Sequence, residues 1–551
     1  MTETYANGPW VILGLLVYMG LLLRIGYWAS KRVADEADFL VAGRRLGVPL
    51  MIGALVATWY GAGTTMGAAG MTYLFGIQGV IFDPFGAALC LLLLGLVFAR
   101  LVRRSRFMTL VDYFESRYDR KVAGLGALVM LSAEMGWIGA LLVGFGAIIQ
   151  FFTGIPIAWG IGLSTLVLVA YTYLGGMYAV TLTDALQMSI ITVSMIAILV
   201  IIMGQPEVGG WDYIFANSPA SNWMGINQWD FLPTPASHAD PELQNAGFYY
   251  YTGHMGWFYW AAAILSIGVG SIAAQDVNQR LMSARSENAS VVSACASSVV
   301  YLVIGMIPVI LGMAAYKLYP DLSLADVQGK LLLVMAADYL PLAIVIIFAC
   351  GLVAALMSSA AAATLAGAAI IGYNGSKFVR PGISETQSLK LTRLFVPAVA
   401  GVSLILALCF ETIYNLMVAS WTLLLVSMFV PYAAGFFWKR ANAWGALASM
   451  AGGFLGWLAG YFAYLPLTSA ANTGVYPGVE GVYFEWAHWD ALYISSIWGL
   501  ISSVVLMVAV SLATARIAPP KPLCDADGNL LDTRGWFGLS FGKSRGAYSR
   551  A

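Results

Sequence analysis

Inside long apolar stretches this chain carries residues that hydrocarbon tolerates poorly: two adjacent hydroxyls, Ser358 and Ser359, two acids, Glu134 and Asp184, and glycines clustered in the middle of runs. The run Ala57-Thr-Trp-Tyr-Gly-Ala-Gly-Thr-Thr-Met-Gly67 is broken by Gly61, Gly63 and Gly67, and a later one is broken at Gly268-Val-Gly-Ser271. Unwound backbone in hydrocarbon costs several kcal/mol per unpaired group, so it persists where it lines a cavity or coordinates something. Close helix packing is the alternative use of small residues, and it is the better account of either cluster taken alone. Carbonyls of unwound turns and Ser or Thr hydroxyls are the hard oxygens that a bilayer interior can offer a bound ion. Back-bonding to a preceding carbonyl is the competing reading of Ser358 and Ser359. At 1.5 Å per residue Glu134 lies about 20 Å along its helix from Lys121, near the midplane, with Trp137 three residues on along the same face. Trp59 falls at similar depth in its own span. Two indole faces and a carboxylate suit an organic cation, each cation-ring contact contributing about 0.5 to 2 kcal/mol.

The elements that must position these residues are membrane helices. The chain has 551 residues, 60% hydrophobic and 10% charged, with mean hydropathy +0.79, whereas soluble domains run near 25% charged. Stretches of roughly 20 apolar residues fall at 9–29, 48–75, 77–102, 122–152, 157–175, 177–203, 255–275, 290–316, 338–372, 391–410, 412–436, 442–464 and 490–514, which predicts thirteen spans. An odd number puts the ends on opposite sides. With the N-terminus outside, 25 of the 28 Lys and Arg fall on the cytoplasmic side, as the positive-inside rule demands. The expected place is therefore the inner (plasma) membrane, multi-pass, with a cytoplasmic C-terminus. The opening residues lack the positive region of a secretory signal, so the run from Pro9 reads as the first span.

Other features are given ordinary readings. The acidic outer segment 204–254 holds Glu207, Asp212, Asp230, Asp240 and Glu242, which could steer cations, although exclusion of positive residues from outer loops explains it as well. Asp83 followed by Pro84 has the pattern of a helix cap and first turn. His238, His254 and His488 are scattered on the outer side, the five cysteines show no metal-like spacing, and Asp525-Ala-Asp-Gly-Asn reads as a turn rather than a calcium loop. With no nucleophile and base placeable in one pocket and no basic patch for nucleic acid, the chain is expected not to be an enzyme. A sensory module is the remote alternative, disfavoured because about 35 residues follow the last span, too few for a catalytic domain.

Several stretches carry a family resemblance. Ala37-Asp-Phe-Leu-Val-Ala-Gly-Arg44, Thr109-Leu-Val-Asp-Tyr-Phe-Glu-Ser-Arg-Tyr118, Gly175-Gly-Met-Tyr-Ala-Val-Thr-Leu-Thr-Asp-Ala-Leu-Gln187 and Gln279-Arg280 resemble, in order from about residue 9 to 460, the sodium:solute symporter family. The resemblance implies an all-α integral membrane protein with a LeuT-type core: one extra N-terminal helix with its loop (1–47), a first five-helix repeat (48–203), an outer loop (204–254), an inverted second repeat (255–436), two further helices (437–514) and a tail (515–551). It implies Na+ as coupling ion, held by Ala57, Tyr60, Ala355, Ser358 and Ser359, with Asp184 on the ion's exit path or at a second sodium site. A structural pairing of Asp184 remains the alternative. Within the family, Ala-Thr-Trp-Tyr-Gly-Ala-Gly and Ala133-Glu-Met-Gly-Trp137 look most like the high-affinity choline transporter branch, which implies solute contacts at Trp59, Glu134, Trp137, Gly270 and Gln275. Two aromatic positions of that branch are Ala87 and Ala274 here, so a four-sided aromatic box is incomplete. The aromatic gate of sodium-sugar members is missing around Gly270 and Ser271. The expected partners are thus sodium, the bilayer and a small solute, choline-like or otherwise amine-bearing, with an amino acid or small carboxylate as the rival.

Overall fold

The structure, a computed structural model, describes residues 5–31, 35–219, 227–233, 251, 253–320, 322, 327, 329–410, 413–475 and 482–539. His238, Asp240 and Glu242 lie outside the described residues. Helices carry nearly all of the architecture, because a helix alone satisfies its own backbone in lipid. In chain order the elements that matter here are α1 (Gly8–Ser30), α2 (Val48–Trp59), α3 (Ala68–Phe75), α4 (Ala87–Leu93), α5 (Leu110–Arg117), α6 (Arg120–Thr153), α7 (Ile157–Met203) and α8 (Gly253–Gly268). They continue as α9 (Gln275–Ser283), α10 (Glu287–Leu318), α11 (Leu342–Ala369), α12 (Glu385–Phe410), α13 (Ile413–Leu424), α14 (Ala443–Val475) and α15 (Val482–Ala513). Side chains such as Leu16, Leu166, Val193 and Phe462 cover the outer surface and are exposed in the isolated chain, as lipid-facing positions are.

Eleven helices among the described residues are long and apolar enough to cross a membrane, and Val48–Trp59 and Ile157–Tyr173 are shorter apolar helices. The difference from thirteen predicted spans arises at the breaks. The stretch 48–75 is interrupted after Trp59, and the 157–203 run bends at Gly176. There φ is +61° and a Cβ would stand 2.6 Å from the Phe39 ring, so only glycine fits both the backbone and the neighbour.

Both glycine-interrupted stretches are places where helices end. Tyr60 (φ −72°, ψ 69°) leaves helical geometry, and Gly61 N donates to Trp59 O at 2.7 Å instead of reaching Ala57 O. The Ala57 carbonyl is thereby released from the helical ladder. In the second stretch α8 ends at Gly268, a short 3₁₀ turn spans Gly270–Ala273, and extended Ala274 leads into α9. The helix α13 packs over both: a Cβ on Gly63 would meet the Met417 sulfur at 2.3 Å, and one on Gly270 would meet the Trp421 carbonyl at 2.5 Å.

The connecting pieces are locally specified. Thr109 and Asp112 form a reciprocal capping box on α5, and Asp119 and Ser286 cap α6 and α10, as expected of short polar side chains at helix starts. The tail, too poor in apolar residues to form a domain, is nonetheless packed: Ala526 N donates to Ser105 O at 2.9 Å, Arg117 Nη1 to Lys521 O at 2.8 Å, and Trp536 lies 5.0 Å from the Phe437 ring. Asp525 accepts from Asp527 N and Asn529 N, so that segment is a turn.

Candidate functional site

The first break sets one of the carbonyls singled out for an ion against one of the hydroxyls. Ser359 Oγ, from the middle of α11, donates to the released Ala57 carbonyl at 2.9 Å across the helix interface. Ser358 Oγ donates to Asp184 Oδ1 on α7 at 2.5 Å. Neither hydroxyl is back-bonded within α11, so this alternative is excluded by the partners they have. Ala57, Tyr60, Ala355, Ser358 and Ser359 are all buried, and Gly61 leaves the space between α2 and α11 open, a Cβ there standing 3.2 Å from Ser359 Oγ. Carbonyl and hydroxyl oxygens in a dry setting are the ligand chemistry of a hard monovalent cation. The residues present therefore fit sodium.

Asp184 has a cationic partner. Arg280 Nη2 lies 3.4 Å from Asp184 Oδ2, both side chains fully buried, while Arg280 also donates to Ala54 O at 3.2 Å and Asp276 O at 3.1 Å. Breaking such a pair leaves an uncompensated buried charge, at about 3–5 kcal/mol. The pair ties α9, which follows the second break, to α2 and α7.

Next to it lies an aromatic and acidic cluster. Trp59 and Trp137 both face Trp421 of α13, with ring centroids 6.0 Å and 5.8 Å apart. Trp421 was not singled out from the sequence, where an indole in an apolar run reads as packing and carries no signal of the rings it meets. Glu134 Oε1 accepts from Asp276 N at 3.1 Å, at the start of α9. Asp276 is likewise a residue the sequence reading missed. Gln275 Oε1 accepts from Leu110 N of α5 at 2.7 Å, so its carbonyl is engaged by a connecting helix and its amide is what remains available. Gly270 sits under the Trp421 backbone rather than beside the rings.

Five buried polar atoms in this cluster have no hydrogen-bond partner: Glu134 Oε2, Asp276 Oδ2, Trp59 Nε1, Trp137 Nε1 and Gln275 Nε2. The Trp59 indole N–H faces the Asp276 carboxyl without closing a hydrogen bond. Orphaned buried polar groups cost about 1–3 kcal/mol each and call for an account. Four of them belong to Trp59, Trp137, Glu134 and Asp276, and the fifth to Gln275 at the start of α9, a donor and acceptor set suited to a polar solute.

Asp83 corrects the helix-cap expectation. It is buried, in extended geometry at φ −153°, and its carboxylate accepts from Thr64 Oγ1 at 2.6 Å and Tyr301 Oη at 2.8 Å. Local sequence gave the cap pattern, but the side chain bonds to α10 and the turn before α3. The histidines on described residues make ring and hydroxyl contacts, His254 with Phe258 and His488 with Tyr461.

Comparison with known proteins agrees with this layout. The high-affinity choline transporter 1 of Caenorhabditis elegans is 26% identical over 478 residues, covering 81% of this chain and 76% of the relative. The human high affinity choline transporter 1 is 25% identical over 496 residues, 86% and 80% of the two chains. The osmoregulated proline transporter OpuE of Bacillus subtilis (strain 168) is 25% identical over 492 residues, 86% and 92%. Among solved structures, a Na+-coupled sialic acid symporter in a substrate-bound outward-open state superposes with a TM-score of 0.69 at 19% identity, covering 93% of this chain and 99% of that one, which shows a shared fold. The model of the sodium:solute symporter family matches residues 39–453. With this match added to an all-helical, multi-span fold broken at two facing positions, the chain belongs to the sodium:solute symporter family, and it is a transporter of a small organic solute coupled to sodium rather than an enzyme.

Proposed function

We propose that the transported solute is a small amine-bearing compound, choline-like in carrying a compact positive charge, and that it is imported with sodium by alternating access. The observation carrying this reading is the set of three indoles, Trp59, Trp137 and Trp421, beside the carboxylates of Glu134 and Asp276. Ring faces attract a cation by about 0.5 to 2 kcal/mol each, and a desolvated carboxylate adds a counter-charge. The likeness to choline transporters supports the same class. Sodium is assigned to Ala57, Tyr60, Ala355, Ser358 and Ser359. Asp184, paired with Arg280, is assigned to the ion's release path. In this reading the chain has thirteen crossings as two inverted five-helix repeats with one helix before and two after, and the α5 side faces the cytoplasm. Alternating access then rearranges α9 and α13 about the two breaks.

A second reading is favoured by the orphaned donors. Trp59 Nε1, Trp137 Nε1 and Gln275 Nε2 offer hydrogens that a quaternary ammonium cannot accept but a carboxylate can. An amino acid would use both donors and acceptors, in keeping with the likeness to a proline transporter. Uptake of radiolabelled choline and proline into proteoliposomes, with and without a sodium gradient, separates the two. Sodium-driven choline uptake lost in Ser359→Ala supports the first reading, and sodium-driven uptake of proline alone removes it.

A further inference from the structure

On the far side of the first break from Ser359, five oxygens converge: Trp59 O, Thr64 Oγ1, both oxygens of Asp83 and Tyr301 Oη. Thr64 Oγ1 lies 2.6 Å from Asp83 Oδ2, 2.6 Å from Tyr301 Oη and 3.2 Å from Trp59 O. Tyr301 Oη lies 2.8 Å from Asp83 Oδ1 and 3.2 Å from Trp59 O. With Asp83 ionised, these five oxygen-oxygen contacts share two hydroxyl hydrogens, since a carboxylate and a carbonyl contribute none. The Trp59 carbonyl already accepts from Gly61 N at 2.7 Å. Three contacts therefore set lone pair against lone pair. A positive charge among the oxygens turns that repulsion into coordination.

The surroundings provide no such charge. Asp83, Thr64 and Tyr301 are buried, and the ion pairs found among the described residues leave Asp83 out. A lone ionised carboxylate within a membrane span is costly and marks function by default. Steric room is also tuned: a Cβ on Gly305 would stand 2.6 Å from Pro84 Cβ and 3.5 Å from Thr64 Cγ2, so the backbone of α10 comes close to the cluster.

We infer that Trp59 O, Thr64, Asp83 and Tyr301 form a second sodium site, separate from that of Ser358 and Ser359. The ligand set is all oxygen, with one formal negative charge, which suits a hard monovalent ion. It links three elements: the broken end of α2, the segment before α4 and the middle of α10. The same unwound turn then presents the Ala57 carbonyl to α11 and the Trp59 carbonyl to α10, so one short stretch of backbone is shared by two ions. The Trp59 indole belongs to the solute cluster, which places the second ion in contact with the backbone that orients a solute-facing ring.

The inference rests on the sodium-symport reading and can fail independently of it. In proteoliposomes bearing the full chain, sodium activation of uptake is expected to have a Hill coefficient of about 2, falling to about 1 in Asp83→Asn and in Thr64→Val. Equilibrium binding of radioactive sodium to purified wild-type protein is expected to count two ions, and one ion in either variant. Ser359→Ala serves as the control for the other site. A single ion bound by the wild type overturns the inference whether or not the variants fold. So does an unchanged ion count in Asp83→Asn. Uptake and binding indifferent to sodium in the wild type overturn the symport reading itself.

Discussion

At the scale of single residues, the ion site is a matter of which oxygen faces which gap. Ser359 spans from α11 to the Ala57 carbonyl, so Ser359→Ala removes the hydroxyl proposed as a sodium ligand. A hydrogen bond or ligand to a charged group contributes about 1.5–3 kcal/mol. Sodium half-activation is accordingly expected to rise about 10- to 100-fold, measured as the sodium dependence of initial uptake. Glu134→Gln makes a different test, because its amide oxygen can still accept from Asp276 N while the charge is gone. Affinity for a cationic amine should fall by about 10-fold or more, read from competition of labelled uptake, with a neutral isostere unaffected. Trp421→Ala removes the ring between Trp59 and Trp137 and is expected to weaken a cationic solute about 2- to 30-fold. Equal loss for cationic and uncharged solutes in these variants would point to collapse of the cluster instead.

At the scale of elements, the proposed alternating access turns on how closely α13 rides over the second break. Gly270 allows the Trp421 carbonyl and Leu425 to approach within distances that a Cβ would bring to 2.5 Å and 2.8 Å. Since the nearest neighbour is backbone, α13 must move to accept a methyl, at about 1–3 kcal/mol. Gly270→Ala is expected to reduce the maximal uptake rate several-fold while sodium binding stays near wild type, checked by rate measurements and equilibrium sodium binding on one preparation. The breaks were legible in the sequence because two glycine clusters fall in corresponding positions of two apolar runs, which packing alone explains less well than a pair of broken helices. The position of α13 was not legible, since nothing in its own residues says which break it covers.

At the scale of the whole molecule, coupling is arithmetic. One sodium ion crossing about 100 mV releases about 2.3 kcal/mol, and a tenfold sodium gradient adds about 1.4 kcal/mol. Each sodium ion carried should therefore multiply the accumulation of a neutral solute by several hundredfold, and collapsing the voltage while keeping the gradient should lower that factor to about tenfold per sodium ion. Steady-state accumulation in vesicles with clamped potential measures this, and a ratio of about one hundred at zero voltage would require two ions. The tail contributes at the same scale, as Arg104 and Arg100 bridge to Glu287 of α10 while also holding the tail carbonyls of Asp532 and Gly538, which ties the tail to α10.

By itself the sequence determined that this chain lives in a bilayer and where two of its helices break. Those conclusions follow from local physics: hydropathy selects the solvent, and unpaired backbone in hydrocarbon needs a use. The tertiary structure alone decided that Asp184 is paired with Arg280, that Asp83 joins Thr64 and Tyr301 instead of capping a helix, and that Trp421 and Asp276 complete the aromatic and acidic cluster. The physical reason is sequence separation. Tyr301 lies 218 positions from Asp83 and Arg280 lies 96 from Asp184, and a side chain's own neighbours carry no record of a partner that packing brings to it from so far along the chain.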